Sequence, residues 1–424
     1  MINNNITYIQ TSIGLIPSDW ELKKLKELGD FISGNGFPID EQGGNTGIPF
    51  YKVSDMNLVR NENKMTVSNN YVSDEQIKKM KIKPITRDAI IFAKVGAAIY
   101  LERKRIAKNF VIDNNMMAFV PFKYSLFLKY YFDFLKLSKY AQTGALPAYN
   151  ASDLKSIKIR VPNDFEQQKI ASILLTWDNA IDINKNILSD LEIIKKGMTI
   201  NVLSGKIRFK TFLKDNKISQ RNGYTIPDDW EIKKLSSVLE QIKKPVKPEK
   251  DTLYKQLGIR SHTKGIFYKE SVTGQSLGNK SVFAIEPDCF ILNIVFAWEH
   301  AIAKTSVAEL DMIVSHRFPM YKPLASKLDL DYLLFFFKSN KGKDLLGLAS
   351  PGGAGRNKTL GQKEFLKLKI PIPPIKEQKA IALFLETYDS EIKLHQQKLQ
   401  ALRLQKKGLM QQLLTGKVRV KTNN

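Results

Sequence analysis

The strongest constraint on this chain is that it repeats itself at half its length. The segment Gly14-Leu-Ile-Pro17-Ser-Asp19-Trp20-Glu21-Leu-Lys23-Lys24-Leu25 returns at an offset of 210 as Ile226-Pro227-Asp-Asp229-Trp230-Glu231-Ile-Lys233-Lys234-Leu235. A second block returns at an offset of 211, where residues 161–210 and 372–421 are identical at 19 of 50 positions without a gap. Its shared set includes Pro162/Pro373, Glu166-Gln167/Glu377-Gln378, Ile170-Ala171/Ile381-Ala382, Asp178/Asp389, Lys195-Lys196-Gly197/Lys406-Lys407-Gly408 and Gly205-Lys206/Gly416-Lys417. So long a period means a tandem duplication, not a solenoid of short repeats. Trp20 to Pro162 spans 142 residues and Trp230 to Pro373 spans 143, yet the interiors share little identity. Equal edges around divergent contents are what a scaffold with two different binding surfaces requires.

The repeated block reads as a long helix. Positions 170, 174, 177, 181, 184, 188, 191, 195, 198 and 202 alternate steps of four and three, and eight of the ten are apolar or aromatic. Their counterparts run 381, 385, 388, 392, 395, 399, 402, 406, 409 and 413 with the same eight-to-two split. This is a coiled-coil seam, interrupted in both copies at Asn184/His395 and Lys195/Lys406, where polar residues fix register. Pro162, Pro373 and Pro374 precede the pattern, Asp164 with Gln167 suggests a capping box, and Gly205 and Gly416 stand where left-handed C-caps belong. Each helix spans about 40 residues, on the order of 60 Å. Neither buries its stripe alone, so the two are expected to pair antiparallel.

Inside the compartments, apolar runs at Ala89–Ala93, Val111-Ile112 and Phe290–Val295 predict strands, and Leu126–Lys139 and Leu330–Ser339 predict helices. The expected fold class is α+β (mixed α/β), with two globular domains separated by two long helices and an internal pseudo-two-fold duplication. The expected segments are an amino-terminal arm and first domain at 1–160, a first helix at 161–205 and a linker at 206–222. A second domain at 223–371, a second helix at 372–416 and a basic tail at 417–424 complete the chain.

Composition narrows the function. Lys and Arg number 66 against 42 Asp and Glu, a net charge of +24, which attracts polyanions and speeds encounter with them. The longest apolar runs, such as Phe290–Trp298, are far too short to cross a bilayer, so no membrane partner is expected. The amino terminus shows no basic region followed by an apolar segment, and a cytoplasmic location is expected. A lone Cys289 rules out an internal disulfide framework. His262, His300, His316 and His395 form no pair at metal-ligand spacing, so no metal is expected.

Ile16-Pro17-x-x-Trp20 and Pro162-x3-Glu166-Gln167-x2-Ile170-Ala171, both duplicated, together with Leu203-x-Gly205 and its copy Leu414-x-Gly416, resemble type I restriction–modification specificity subunits. The resemblance covers essentially the whole chain. It implies two target-recognition domains, each reading one half of a bipartite, asymmetric site in double-stranded DNA. The paired helices would act as a spacer and as the docking surface for two modification (methyltransferase) subunits, with restriction subunits as a further, optional partner. The chain itself would hold no cofactor. S-adenosylmethionine would belong to the modification subunits, and ATP and Mg2+ to the restriction subunits.

The residues agree that the chain has no chemistry of its own, and no catalytic residue is assigned. The sole Pro-Pro, Pro373-Pro374, is flanked by isoleucines and lacks the Asn-Pro-Pro-aromatic pattern of a methyltransferase. Gly274 to Ser281 mimics a phosphate loop but puts Asn279 where glycine must precede the lysine. Gly352-Gly353-Ala-Gly355 lacks the third glycine of a dinucleotide fold. Pro227-Asp228-x2-Glu231-Ile-Lys233 resembles a nuclease motif, but its first copy has Ser18 in place of Asp228. The competing readings are a stand-alone nucleic-acid enzyme and a coiled-coil adaptor for RNA.

Phosphate contacts need Lys, Arg or backbone amides, while base readout needs Arg for guanine and Asn or Gln for adenine. On that chemistry the DNA-binding candidates in the first half are Lys52, Ser54, Asp55, Asn57, Lys94, Tyr149 and Asn150. In the second half they are Arg260, Ser261, His262, Lys264, Arg356 and Lys358, the first four similar to family segments near DNA. Trp20 and Trp230 are assigned to core packing. Glu166, Gln167, Glu377 and Gln378 are assigned to helix starts or partner docking.

Overall fold

The computed structural model describes residues 7–142, 144, 146–213, 217–352 and 358–421. The chain forms two compact units, one of Met1–Lys185 with Lys398–Asn424 and one of Asn186–Gln397. Both divisions fall inside the long helices. Each unit therefore holds one compartment, the first part of one helix and the last part of the other. Packing cuts the chain differently from the segments expected from sequence, because the seam groups half of each helix with the compartment it touches.

In the first unit a hairpin (Tyr8–Thr11 with Gly14–Pro17) leads to strand Glu21–Lys24, which pairs with Lys158–Val161 just before the helix. Between them lies a sheet in the order Gly29–Ser33, Met116–Pro121, Ala89–Ala93, Lys104–Ala107. A smaller sheet sets Ile48–Tyr51 parallel to Val111–Ile112, with Tyr51 opposite Ile112. The second unit repeats the plan with different residues. Its hairpin is Ile218–Arg221 with Tyr224–Pro227, and strand Glu231–Lys234 pairs with Lys369–Ile372. The main sheet runs Leu239–Ile242, Met320–Pro323, Phe290–Leu292, Ile302–Lys304, and Leu253–Ile259 lies parallel to Met312–Ser315. The interiors that share little sequence thus share a strand order, and most pairings are antiparallel, as the α+β class requires.

Several expectations need correction. The strand expected to reach Val295 ends at Leu292, because the Asn293 side chain accepts the Val295 amide (3.1 Å) and turns the chain. The helix expected at 126–139 is Ser125–Phe134. Beyond it, Glu102 accepts the amides of Leu137 and Ser138, and the buried Lys104 ammonium donates to Leu135 O (2.9 Å), holding the backbone out of helix. The linker is partly sheet, since Asn222 (φ 51°) and Gly223 (φ 78°) form a tight turn of the Asn-Gly kind that closes hairpins.

The long helices are Asp164–Leu203 and Ile375–Leu413, 40 and 39 residues. No seam position is exposed, whereas most flanking positions are. In the first unit Ile170 and Leu174, near the start of one helix, share a core with Leu413 and Leu414 at the end of the other. In the second unit Ile381 and Leu385 share a core with Val202 and Leu203. Starts packed on ends make the pairing antiparallel. The seam lysines are not left unpaired: Lys406 pairs with Asp178, which also accepts the Tyr130 hydroxyl (2.7 Å), and Lys195 pairs with Asp389. The first N-cap is Asn163, whose side chain accepts the Glu166 amide (2.9 Å), in place of the expected Asp164–Gln167 box. Gly205 (φ +70°) and Gly416 (φ +72°) close the helices. A Cβ on either would stand within 2.5 Å of a proline ring carbon, Pro227 or Pro17 respectively, so both positions require glycine for conformation and for space.

Cys289 lies in the core of the second unit with no exposed surface, and burial pushes its thiol up to about 11. A buried neutral thiol is inert, because the thiolate is the nucleophile. In the native protein at pH 8, Cys289 should react with a thiol reagent at least ~100-fold more slowly than in denaturant. Comparable rates in both states would show that this core opens readily.

Candidate nucleic-acid interface

Each compartment gathers its loops where the two sheets meet. In the first unit the parallel strands 48–51 and 111–112 end together, and the Asp113 amide donates to Tyr51 O (3.0 Å). The Lys94 amide donates to Asn115 O (2.7 Å), its ammonium donates to Ser33 Oγ (3.3 Å), and the Tyr149 amide donates back to Lys94 O (3.0 Å). The Asn35 amide donates to Ile112 O (2.9 Å). Lys52, Lys94, Ser33, Asn35 and the turn 113–115 are thereby brought to one rim. The Lys52 ammonium donates to Gln42 Oε1 (3.0 Å).

The other candidates of this half fare differently. Ser54 and Asn57 are exposed, and Arg103 donates to the Asn57 side chain. Asp55 has no exposed surface. Its carboxylate accepts the amides of Lys52 (2.7 Å) and Asn69 (3.0 Å) and the Asn69 side-chain amide (2.7 Å). It shapes the loop and offers nothing to a base. Tyr149 is 4% exposed, with its ring edge-on to Phe92, and burial raises its phenol above the ordinary range; it belongs to the core. Asn150 caps the short helix Ala151–Ser156 by accepting the Ser152 amide (3.1 Å).

The second unit builds the same rim from other chemistry. Strand Leu253–Ile259 turns into Ile266–Tyr268 through residues 260–265, where His262 (φ 59°), Thr263 (φ 58°) and Gly265 (φ 76°) are left-handed. This loop docks on a neighbouring turn: Ser261 Oγ donates to Glu299 Oε2 (3.0 Å), His262 N to Glu299 O (2.7 Å) and Thr263 N to His300 O (3.0 Å). The exposed Arg260 lies over the Phe267 ring at 4.8 Å and donates to Ile266 O (3.2 Å), which leaves most of its donors free. His262 and Lys264 are exposed, and Lys358 reaches over the Trp298 ring at 5.7 Å. Buried His300 is pushed below the usual histidine range by burial and by nearby Lys343. Arg356 lies outside the described residues. The Leu360 amide donates to Ile294 O (2.8 Å), as the Tyr149 amide does to Lys94 O, so Leu360 stands in the second unit where Tyr149 stands in the first.

At the other edge of each compartment sits a clasp. The Trp20 indole donates to Glu166 (2.9 Å), and Arg419 bridges Glu166 (2.7 Å) and Asp19. In the second unit the Trp230 indole donates to Glu377 (3.1 Å), and Arg208 bridges Glu377 (2.8 Å) and Asp229 (2.9 Å). Gln167 and Gln378 donate to Pro162 O and Pro373 O, both at 2.8 Å, and Gln378 also holds the Asp329 amide and Lys327 O. Glu166, Gln167, Glu377 and Gln378 are 0–5% exposed, so their side chains do not form a docking surface. They tie helix starts to the compartments. Among the described residues no cluster of three or more His, Cys, Asp or Glu suits a metal, and no helix is long and apolar enough to cross a membrane.

The family model described as "Type I restriction modification DNA specificity domain" matches residues 17–193 and 227–404. The chain belongs to this family. Among relatives of the type I specificity family, the MjaVIII specificity subunit of Methanocaldococcus jannaschii is 29% identical over 77% of both chains. A second subunit from that organism, assigned to the MjaX enzyme, is 27% identical over 97% of both. The crystal structure of the type I S subunit from M. genitalium aligns with 100% of this chain and 99% of its own, at TM-score 0.55 and 12% identity. The HsdS subunit from Thermoanaerobacter tengcongensis aligns with 97% and 100%, at TM-score 0.50 and 14% identity. Those structural likenesses concern the fold. Membership makes the chain a DNA-recognition subunit without catalysis of its own, and the two matched stretches coincide with the two copies of the duplication.

Sequence reasoning missed several residues of the rim and the clasp. Arg208 and Arg419 were detectable, since they are among the identical positions of the repeated block. Ser33, Asn35 and Asn115 carry no such signal, because they lie in the divergent interior and only the strand order assembles them.

Proposed function

We propose that each unit reads one half of a bipartite, asymmetric site in double-stranded DNA, and that the paired helices set the gap between half-sites and dock two methyltransferase subunits. S-adenosylmethionine belongs to those subunits, and ATP with Mg2+ to restriction subunits where a system has them. The complex works in the cytoplasm, where its DNA is. One observation carries the reading: the two compartments share strand order and clasp, yet fill the same loops with different side chains. Two readers built on one frame require that arrangement, whereas a single enzyme site or a general RNA adaptor does not.

Mapping methylated adenines in DNA treated with the complex of this chain and its methyltransferase tests the reading directly, and one split motif with two unlike halves is expected. DNA affinity should also fall steeply with salt, as phosphate contacts release counterions. Four helical residues inserted into each long helix where the two units divide, after Lys185 and after Gln397, add about 6 Å along the axis. At about 3.4 Å per base pair the preferred gap should lengthen by one or two base pairs. Identical spacing from an active insertion variant would remove the helices from the role of ruler.

A further inference from the structure

The turn leaving the parallel strand occupies the same place in both units and carries different recognition chemistry in each. In the first unit residues 113–115 connect Val111–Ile112 to Met116–Pro121, and in the second residues 316–319 connect Met312–Ser315 to Met320–Pro323. Each turn is pinned to the same neighbouring loop by one backbone bond, Lys94 N to Asn115 O (2.7 Å) and Ile294 N to Arg317 O (3.0 Å). Buried Asp113 shapes the first turn by accepting the Asn115 amide (3.2 Å) and its side-chain amide (3.3 Å), which leaves the exposed Asn114 side chain unengaged. The second turn presents exposed His316 and Arg317.

Arg317 differs from most arginines of the chain. Arg87, Arg103, Arg105, Arg160, Arg208, Arg221, Arg260, Arg403 and Arg419 each engage a carbonyl, side-chain oxygen, carboxylate or ring. Among the described residues, the arginine side chains without such a partner are Arg60 and Arg317. Folding leaves the Arg317 fork unused while fixing its backbone, and it does so beside the loop that carries Lys358. A basic side chain such as Lys358 suits a phosphate, and an unengaged planar group beside it suits a base edge. Arginine pairs in two bonds with the O6 and N7 of guanine, and asparagine with the N6 and N7 of adenine.

We propose that these two turns read bases, with Arg317 selecting a guanine in the half-site of the second unit and Asn114 selecting an adenine in the half-site of the first. The inference rests on the reading of the chain as a two-headed DNA specificity subunit. It goes further by naming the turn, the residue and the base in each half.

The test uses the full chain in complex with its methyltransferase, acting on a DNA library, with every methylated site sequenced. Arg317→Ala should relax one guanine of the second half-site, cutting discrimination there roughly 10- to 100-fold, and should leave the first half-site unchanged. Arg317→Lys keeps the charge but loses the fork, so it should also relax that guanine while retaining overall affinity. Asn114→Ala should relax one adenine in the other half. Continued protection of Cys289 in the Arg317 variants shows that the second unit remains folded. A uniform loss at all sequences with base preference intact would make Arg317 a phosphate contact and overturn the inference, as would an unaltered motif. A wild-type complex that methylates no split motif would instead overturn the functional reading on which it rests.

Discussion

Glu377→Ala should destabilise the second unit by about 3–5 kcal/mol, the loss expected when one partner of a buried ion pair is removed. The carboxylate accepts the Trp230 indole at 3.1 Å and two Arg208 nitrogens at 2.7 and 2.8 Å. The Glu377 and Arg208 side chains are 1% and 5% exposed. Alanine would leave a buried guanidinium with only the half-exposed Asp229, and an indole N–H with no acceptor. Hydrogen bonds from Arg208 to Glu377, with those to Asp229, hold the guanidinium well above its ordinary range, so it stays charged on the alkaline side of neutrality. Glu377→Gln keeps an acceptor for the indole and should cost less. The matching Glu166→Ala should cost less as well, because Arg419 is 22% exposed and water can reach part of its charge. Urea unfolding followed by tryptophan fluorescence measures all three. A loss under about 1 kcal/mol for Glu377→Ala would mean that the clasp is ornamental, as most exposed ion pairs are.

The clasp also has a pH signature. Hydrogen bonds from Arg419 hold the Asp19 carboxyl below the usual carboxylate range. Its folded-state value is depressed, so its contribution is present at neutral pH and is lost as pH falls through that folded value. Asp19→Asn should flatten this part of the acid limb of stability, measured as the denaturation midpoint against pH.

The frame of the molecule was legible because its signals are local or repeated. Seam spacing, prolines before the helices and glycines after them each act over a few residues, and each appears twice. The seam lysines were read as polar interruptions, and the structure gives the reason: Lys195 and Lys406 pair with Asp389 and Asp178, which are themselves duplicated. Candidate contacts were less legible, because composition does not report burial. Asp55 and Lys52 lie three residues apart in the same loop, yet one is a wholly buried acceptor and the other reaches the rim. Tyr149 and Asn150 are adjacent, and packing assigns one to the core and the other to a helix cap. The turns at 113–115 and 316–319 share no residue type at matched positions, so only the common strand order shows that they correspond.

The central claim is that two independent readers share one duplicated frame. It is tested most directly by exchanging residues 14–160 for the corresponding compartment of another specificity subunit and mapping the sites that the complex then methylates. The exchange keeps both long helices, with the clasp residue Glu166, and the second compartment, and it returns Asp19 and Trp20 if the donor carries the same frame. The account predicts a new sequence in one half of the methylated motif, with the other half and the gap between them unchanged. An active hybrid in which both halves change together would contradict it.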